Sequence, residues 1–390
     1  MTTYRLNEVT AVGSDAAERI AKASRRPSSL GATPTGAIAL SMGEPDSGTP
    51  DRIVEAAVEA LRNGRTRYTK LTGAPELQSA LAVKMSAKAE RVVSPDQIVI
   101  THGGSAGLAA TILAVINPGD RVLIPEPTYS LYADHLAMAG AEAVWIPNKP
   151  DGSLDLRRIQ AESAVARMII LCNPGNPSGR IYGVEELRSL AGIMEANPHM
   201  LLLSDEAYSD IVFDGAKFLS VLELEAIADQ VILCSTFSKT YAMTGWRLGY
   251  VVAPAVLADK INLVHRSING ALNTFVQDAA LEALETDPAT LEKLALSYQL
   301  RRDIVVDLLS GEPGISLLTP QGAFYAWVRI DSSLSSDEMT ARFAEGGVIV
   351  RSGSEYGPSG EGYIRISFAT DSDSLKEGLR RFVDVVRSLV

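Results

Sequence analysis

Five short stretches carry residue types that do chemistry, and each follows an apolar run. After residues 97–101 comes His102-Gly103-Gly104-Ser105-Ala106-Gly107, and after 121–125 comes Glu126-Pro127-Thr128-Tyr129. After 167–172 comes Asn173-Pro174-Gly175-Asn176-Pro177-Ser178-Gly179, and after 200–204 comes Asp205-Glu206-Ala207-Tyr208. After 231–235 comes Thr236-Phe237-Ser238-Lys239, with Thr244-Gly245-Trp246-Arg247 close behind. An anion cradle, an aromatic ring, an amide, a carboxylate and a lysine suit a phosphorylated, planar, nitrogen-containing cofactor. The backbone N–H groups of Gly104, Ser105 and Ala106, opening a helix, would hold its phosphate. Thr236, Ser238 and the guanidinium fork of Arg247 would add to that grip. Asp205 would keep a ring nitrogen protonated, making the ring an electron sink. Asn176 and Tyr208 would hydrogen-bond a ring oxygen, and Tyr129 would stack on the ring face. Lys239 would form an imine and shuttle a proton, its amine pKa lowered from ~10.4 by desolvation and nearby positive charge.

Each residue alone has an ordinary explanation. A lysine after a strand is usually solvated surface, Asp205 could cap a helix, and Asn-Pro dipeptides mark turns. Their joint placement at successive strand ends is what those explanations leave over. One rival motif is literal: Gly103-Gly104-Ser105-Ala106-Gly107 fits G-x-S-x-G, which would make Ser105 the nucleophile of a serine hydrolase. That reading needs an acid and then a histidine downstream, and no histidine follows His265. It also leaves Lys239 and the asparagine-proline loop unused. Neither a phosphate-binding P-loop nor a dinucleotide glycine fingerprint is present.

The elements that must position these residues are legible from periodicity. Short apolar runs at 97–101, 121–125, 142–146, 167–172, 200–204, 231–235 and 247–253 read as strands. Helical patterns at 106–116, 129–138, 184–196 and 255–267 lie between them. The alternation predicts an α/β fold with right-handed crossovers and a mostly parallel seven-stranded sheet covered by helices. In such sheets ligands bind beyond the carboxyl ends of the strands, where the five stretches fall. From about residue 286 the pattern changes to a smaller α+β unit: helices at 288–309, 336–344 and 372–390, and strands at 324–330, 348–351 and 363–368. The expected division is an N-terminal segment, 1–45, packing on the small domain, a large domain, 46–285, and a small C-terminal domain, 286–390.

Composition narrows the class. The 390 residues are 46% hydrophobic and 21% charged, enough apolar content to fold as ordinary globular domains. Thirty-six basic against 47 acidic residues, a net charge of −11, argue against a nucleic-acid partner. No apolar run approaches the ~20 residues of a membrane span. Four scattered histidines have no metal-ligand spacing, so no metal is expected. The two cysteines, Cys172 and Cys234, end apolar runs and read as reduced core thiols. With no basic start and apolar core at the N-terminus, a cytoplasmic enzyme is expected.

Three segments carry a family resemblance: Ser204-Asp205-Glu206-Ala207-Tyr208, the loop 173–179, and Ser238-Lys239-Thr240-Tyr241-Ala242-Met243-Thr244-Gly245-Trp246-Arg247. With Gly43-Glu44-Pro45-Asp46, Tyr68-Thr69-Lys70, Gly322-Ala323-Phe324-Tyr325 and Tyr363-Ile364-Arg365 they resemble the class I/II aminotransferases, pyridoxal-phosphate enzymes of fold type I. The resemblance implies that Lys239, Asp205 and Tyr208 are catalytic and that the cofactor is pyridoxal 5'-phosphate. It implies that Arg365, with the Gly43 backbone and Asn176, takes the substrate carboxylate. It further implies a homodimer with shared sites, in which Tyr68 reaches the phosphate bound by a second copy. The expected reaction is ping-pong exchange between an L-amino acid and a 2-oxo acid. A lyase or synthase on the same scaffold is the alternative, and the Ser105 hydrolase a weaker one.

Overall fold

Apolar runs too short for buried helices become strands, and the amphipathic runs between them cover the sheet they form. The computed structural model describes residues 13–25 and 35–389. Its strands in chain order are β1 (Ile38–Ala39), β2 (Ile98–Thr101), β3 (Arg121–Glu126), β4 (Glu142–Pro147), β5 (Ala166–Cys172), β6 (Leu201–Asp205), β7 (Val231–Thr236) and β8 (Gly249–Val252). β9 (Ile315–Leu317), β10 (Tyr325–Ile330), β11 (Val348–Ile349), β12 (Arg351–Ser352) and β13 (Tyr363–Ser367) follow.

Seven of them form one mixed sheet in the order β2-β8-β7-β6-β5-β3-β4. β8 runs antiparallel to both neighbours, and every other pairing is parallel. Every strand except β8 therefore ends on the same edge, and β8 begins there. Residues after β2, β3, β5, β6 and β7, and those just before β8, are thereby gathered at one edge. β2 and β6 are buried along their whole length, as strands covered on both faces must be. One apolar layer, with Leu77, Leu81, Leu187 and Leu233, fills one face. Another, with Leu108, Ile112, Tyr132 and Leu136, fills the other.

A second sheet, β12-β13-β10-β9, is antiparallel. Its core includes Leu40, Phe324, Phe343 and Phe382, the last two stacked with centroids 4.3 Å apart. The helix at 288–309 has the expected bounds, Pro288–Leu309. The strand expected over 348–351 is divided. β11 pairs in parallel with β1, while β12 joins β13 in the other sheet. The N-terminal segment also divides. β1 pairs with β11, but the helix Asp15–Ala23 lies instead against the helix Leu131–Ala139 beside the large sheet, where Arg19 Nε donates to Ala137 O at 2.8 Å. Residues 1–12 and 26–34 of that segment lie outside the described residues. Among the described residues, five α-helices were not expected: Asp15–Ala23, Asp51–Arg62, Pro75–Ala89, Leu156–Ser163 and Thr274–Leu284. Among the described residues no helix is long and apolar enough to cross a membrane, and no cluster could hold a metal ion.

Candidate active site

The gathered edge encloses a cavity of about 390 Å³. Every site residue expected from the sequence lines it except Ala106 and Tyr68. Ala106 lies in the first turn of the helix Gly103–Val115 but off the cavity wall. Tyr68 is 96% exposed.

At one end, β2 runs into Gly103, which turns the chain at φ +80°. A Cβ there would lie 2.7 Å from Arg247 Nη2, so only glycine lets that guanidinium close over the loop. Gly249 is equally constrained, since its Cβ would lie 2.8 Å from Gly104 N. The first-turn N–H groups of a helix lack intrahelical acceptors, and no acidic residue occupies this first turn. Thr236 Oγ1 lies 2.8 Å from Ser238 Oγ and accepts from Ser238 N at 3.1 Å, fixing both hydroxyls. The loop is anchored from behind: His102 N donates to His265 Nε2 at 3.1 Å. Burial pushes His265 down to about 4, so it is a neutral acceptor at neutral pH. His102 and His265 thus pair with each other, and among the described residues no hydrogen bond joins Ser105 to a histidine. The hydrolase reading has no general base at Ser105.

Asp205 ends β6 and is buried. Its Oδ2 accepts from Tyr132 Oη at 2.9 Å, and its Oδ1 accepts from Ala207 N at 3.2 Å. Burial pushes the carboxyl up to about 6, against the lowering effect of those two donors and of Lys239. A buried carboxylate that forms no ion pair among the described residues is well placed to hold a protonated ring nitrogen. Tyr132 was missed from the sequence. Its only signal is the spacing from Tyr129, three residues earlier, which brings the rings edge-to-face at 5.6 Å.

Lys239 Nζ donates to Gly43 O at 2.6 Å, which ties the lysine to the N-terminal loop. Its pKa falls from 10.5 to about 8, first through burial and then through Arg247 and Arg365, while Glu44 and Asp205 act the other way. Tyr208 and Tyr325 share a hydrogen bond of 2.8 Å between hydroxyls. Arg365 is buried. Its Nη1 donates to Asn176 Oδ1 at 3.0 Å and its Nη2 to Ser41 O at 2.5 Å, while its Nε has no hydrogen-bond partner among the described residues. The guanidinium sits 4.4 Å from the Tyr325 ring and 5.0 Å from the Tyr356 ring. Among the described residues it forms no ion pair, which suits an incoming carboxylate. Asn176 gives its oxygen to Arg365, leaving its amide N–H groups for a ring oxygen.

A family model for aminotransferase class I and II matches residues 35–382. The chain belongs to this family. An aspartate aminotransferase of Pyrococcus horikoshii is 35% identical over 354 residues, 88% of this chain and 89% of that protein. An arginine–pyruvate transaminase of Pseudomonas aeruginosa is 34% identical over 351 residues, 88% of each chain. The crystal structure of an aromatic aminotransferase from Pyrococcus horikoshii matches with a TM-score of 0.88 and 30% identity, covering 96% of this chain and 99% of that one. The chain is a pyridoxal-phosphate-dependent aminotransferase of fold type I. The cofactor suits this cavity, which offers a loop that a Cβ would close, a buried carboxylate and a desolvated lysine.

Proposed function

We propose that this cavity moves the amino group of an L-amino acid to a 2-oxo acid in two half-reactions, with Lys239 as the amine that holds the cofactor and carries the proton. The observation that supports it best is a lysine with a pKa near 8 sharing one cavity with Asp205 and Arg365. When bound, pyridoxal phosphate supplies an electron sink for the bonds at the amino acid's α-carbon. Gly104, Ser105, Thr236, Ser238 and Arg247 take the phosphate, with Ala106 contributing through the helix end. Asn176 and Tyr208 hold the ring oxygen, Tyr129 covers the ring face, and Asp205 keeps negative charge opposite the ring nitrogen. Arg365, with the Gly43 backbone and Asn176, binds the substrate α-carboxylate. Lys239 Nζ, neutral in part at pH 7, takes the α-proton and returns it.

The working unit in this reading is a homodimer in which Tyr68 reaches the site of a second copy. The 96% exposure of Tyr68, beside exposed Leu61 and Leu71, supports a partner surface there. The division at 46–285 and 286–390 is supported by separate apolar cores under the two sheets. A cytoplasmic setting is supported by two buried free thiols. The test is the exchange itself. An amino acid and a 2-oxo acid should yield their exchanged partners in equal amounts, with each half-reaction running alone. Release of ammonia without need of a second oxo acid would instead establish the lyase alternative.

A further inference from the structure

Arg351 has no role above, yet its side chain lines the same cavity as Lys239 and Arg365. It stands on β12 directly opposite Arg365 on β13. Directly opposed residues of an antiparallel pair project from the same face, with Cβ atoms about 5 Å apart. Like charges so placed repel and weaken a sheet. Glu355, four residues on, offsets the repulsion, its Oε2 lying 2.7 Å from Arg351 Nη2. The Arg351 and Glu355 side chains are only 14% and 10% exposed. Glu355 is not on the cavity wall, so the group a substrate meets there is the guanidinium.

The two arginines are committed differently. Arg365 spends two nitrogens on Asn176 and the Ser41 carbonyl and is left with room for one carboxylate. Arg351 pairs with Glu355 through Nη2, which leaves others of its five donors for the cavity. The ion pair with Glu355 restrains this side chain, so less rotamer freedom remains to be lost when it binds.

We infer that Arg351 reads the far end of the substrate: with the α-carboxylate on Arg365, Arg351 takes a second carboxylate at the end of the side chain, and Glu355 holds the fork for it. The inference rests on the aminotransferase reading and on Arg365 as the α-carboxylate partner. It selects dicarboxylic amino acids and oxo acids over their amides, because a planar fork pairs with a carboxylate in a way an amide cannot match. A cationic side chain meets Arg351 before it can reach Glu355 and is repelled. A hydrocarbon side chain leaves the donors that Glu355 does not take desolvated and without an acceptor.

The test measures half-reaction kcat/KM from cofactor absorbance in the holoenzyme, for glutamate against glutamine and aspartate against asparagine. It compares the wild type with Arg351→Gln and Arg351→Lys. The wild type should favour each acid over its amide by about tenfold or more, and Arg351→Gln should bring that ratio to within about threefold of unity. Arg351→Lys, which keeps the charge but loses the fork, should retain part of the preference. A ratio taken within one variant does not depend on how much of that protein is folded. Equal losses for acids and amides would make Arg351 a second α-carboxylate partner or a scaffold residue and overturn the inference. A wild type without acid preference would overturn it too, as would a preference for arginine or lysine donors abolished by Glu355→Gln. No half-reaction with any donor in the wild type is a separate result: it defeats the aminotransferase reading first and this inference with it.

Discussion

In the cofactor-free protein, Lys239 should lose its proton near pH 8 rather than near 10.5. The drop from 10.5 to about 8 corresponds to at most ~3.4 kcal/mol of preference for the neutral amine. Part of the side chain still meets water, which screens the effect and makes that figure an upper bound. At pH 7 about one molecule in ten would carry a neutral amine, against about one in three thousand for an ordinary lysine. That difference is what makes the residue nucleophilic in the cell's pH range. Reductive ¹³C-methylation followed by NMR titration reads the group directly, and Lys239→Ala identifies its resonance. Removing the carboxylate that most raises the pKa, by Glu44→Gln, should move the midpoint below 8. The unfolded chain keeps this proton up to about 10.5 while the folded one releases it near 8, so this group makes stability rise with pH between those values. Below pH 8 its contribution is flat. A midpoint near 10.5, or one that rises in Glu44→Gln, would refute the reasoning.

Asp205→Asn keeps the shape but not the charge, so kcat should fall by ~10²-fold or more, about 2.7 kcal/mol, while equilibrium dialysis shows the cofactor still binding. A near-normal kcat would reduce Asp205 to a turn residue that accepts from Ala207 N. Tyr132→Phe removes the donor to Asp205 Oδ2 and should push that carboxyl above its value of about 6. The acidic limb of the kcat–pH profile should then move to higher pH, and an unmoved limb would show that Tyr132 only fills space. Arg365→Lys should raise KM for every amino-acid donor by a similar factor, about tenfold or more, because all share the α-carboxylate. A loss confined to one class of donor would make Arg365 a side-chain selector instead.

The chemistry of the site was legible in the sequence because six strand directions agree. Once β2, β3, β5, β6 and β7 all end on one edge, whatever follows them must meet there, so Asn176, Asp205 and Lys239 could be joined without coordinates. Arg247 joined them for the opposite reason, since it precedes the one reversed strand, β8. Only the tertiary structure decided the contacts that cross the chain without a pattern to announce them. The bond from Lys239 to Gly43 spans 196 residues and that from Arg365 to Ser41 spans 324. Tyr132 looks in sequence like any buried helix aromatic, and its hydroxyl gains meaning only from the carboxylate 73 residues away. Arg351 looks like a strand charge until register sets it opposite Arg365. The divided strand at 348–351 has the same cause: its apolar pattern is continuous, but its two halves find partners in different sheets. Periodicity is a local property of the chain and fixes which face a residue shows. Which other residue it meets depends on register and loop closure, which are set by the packing of the whole molecule.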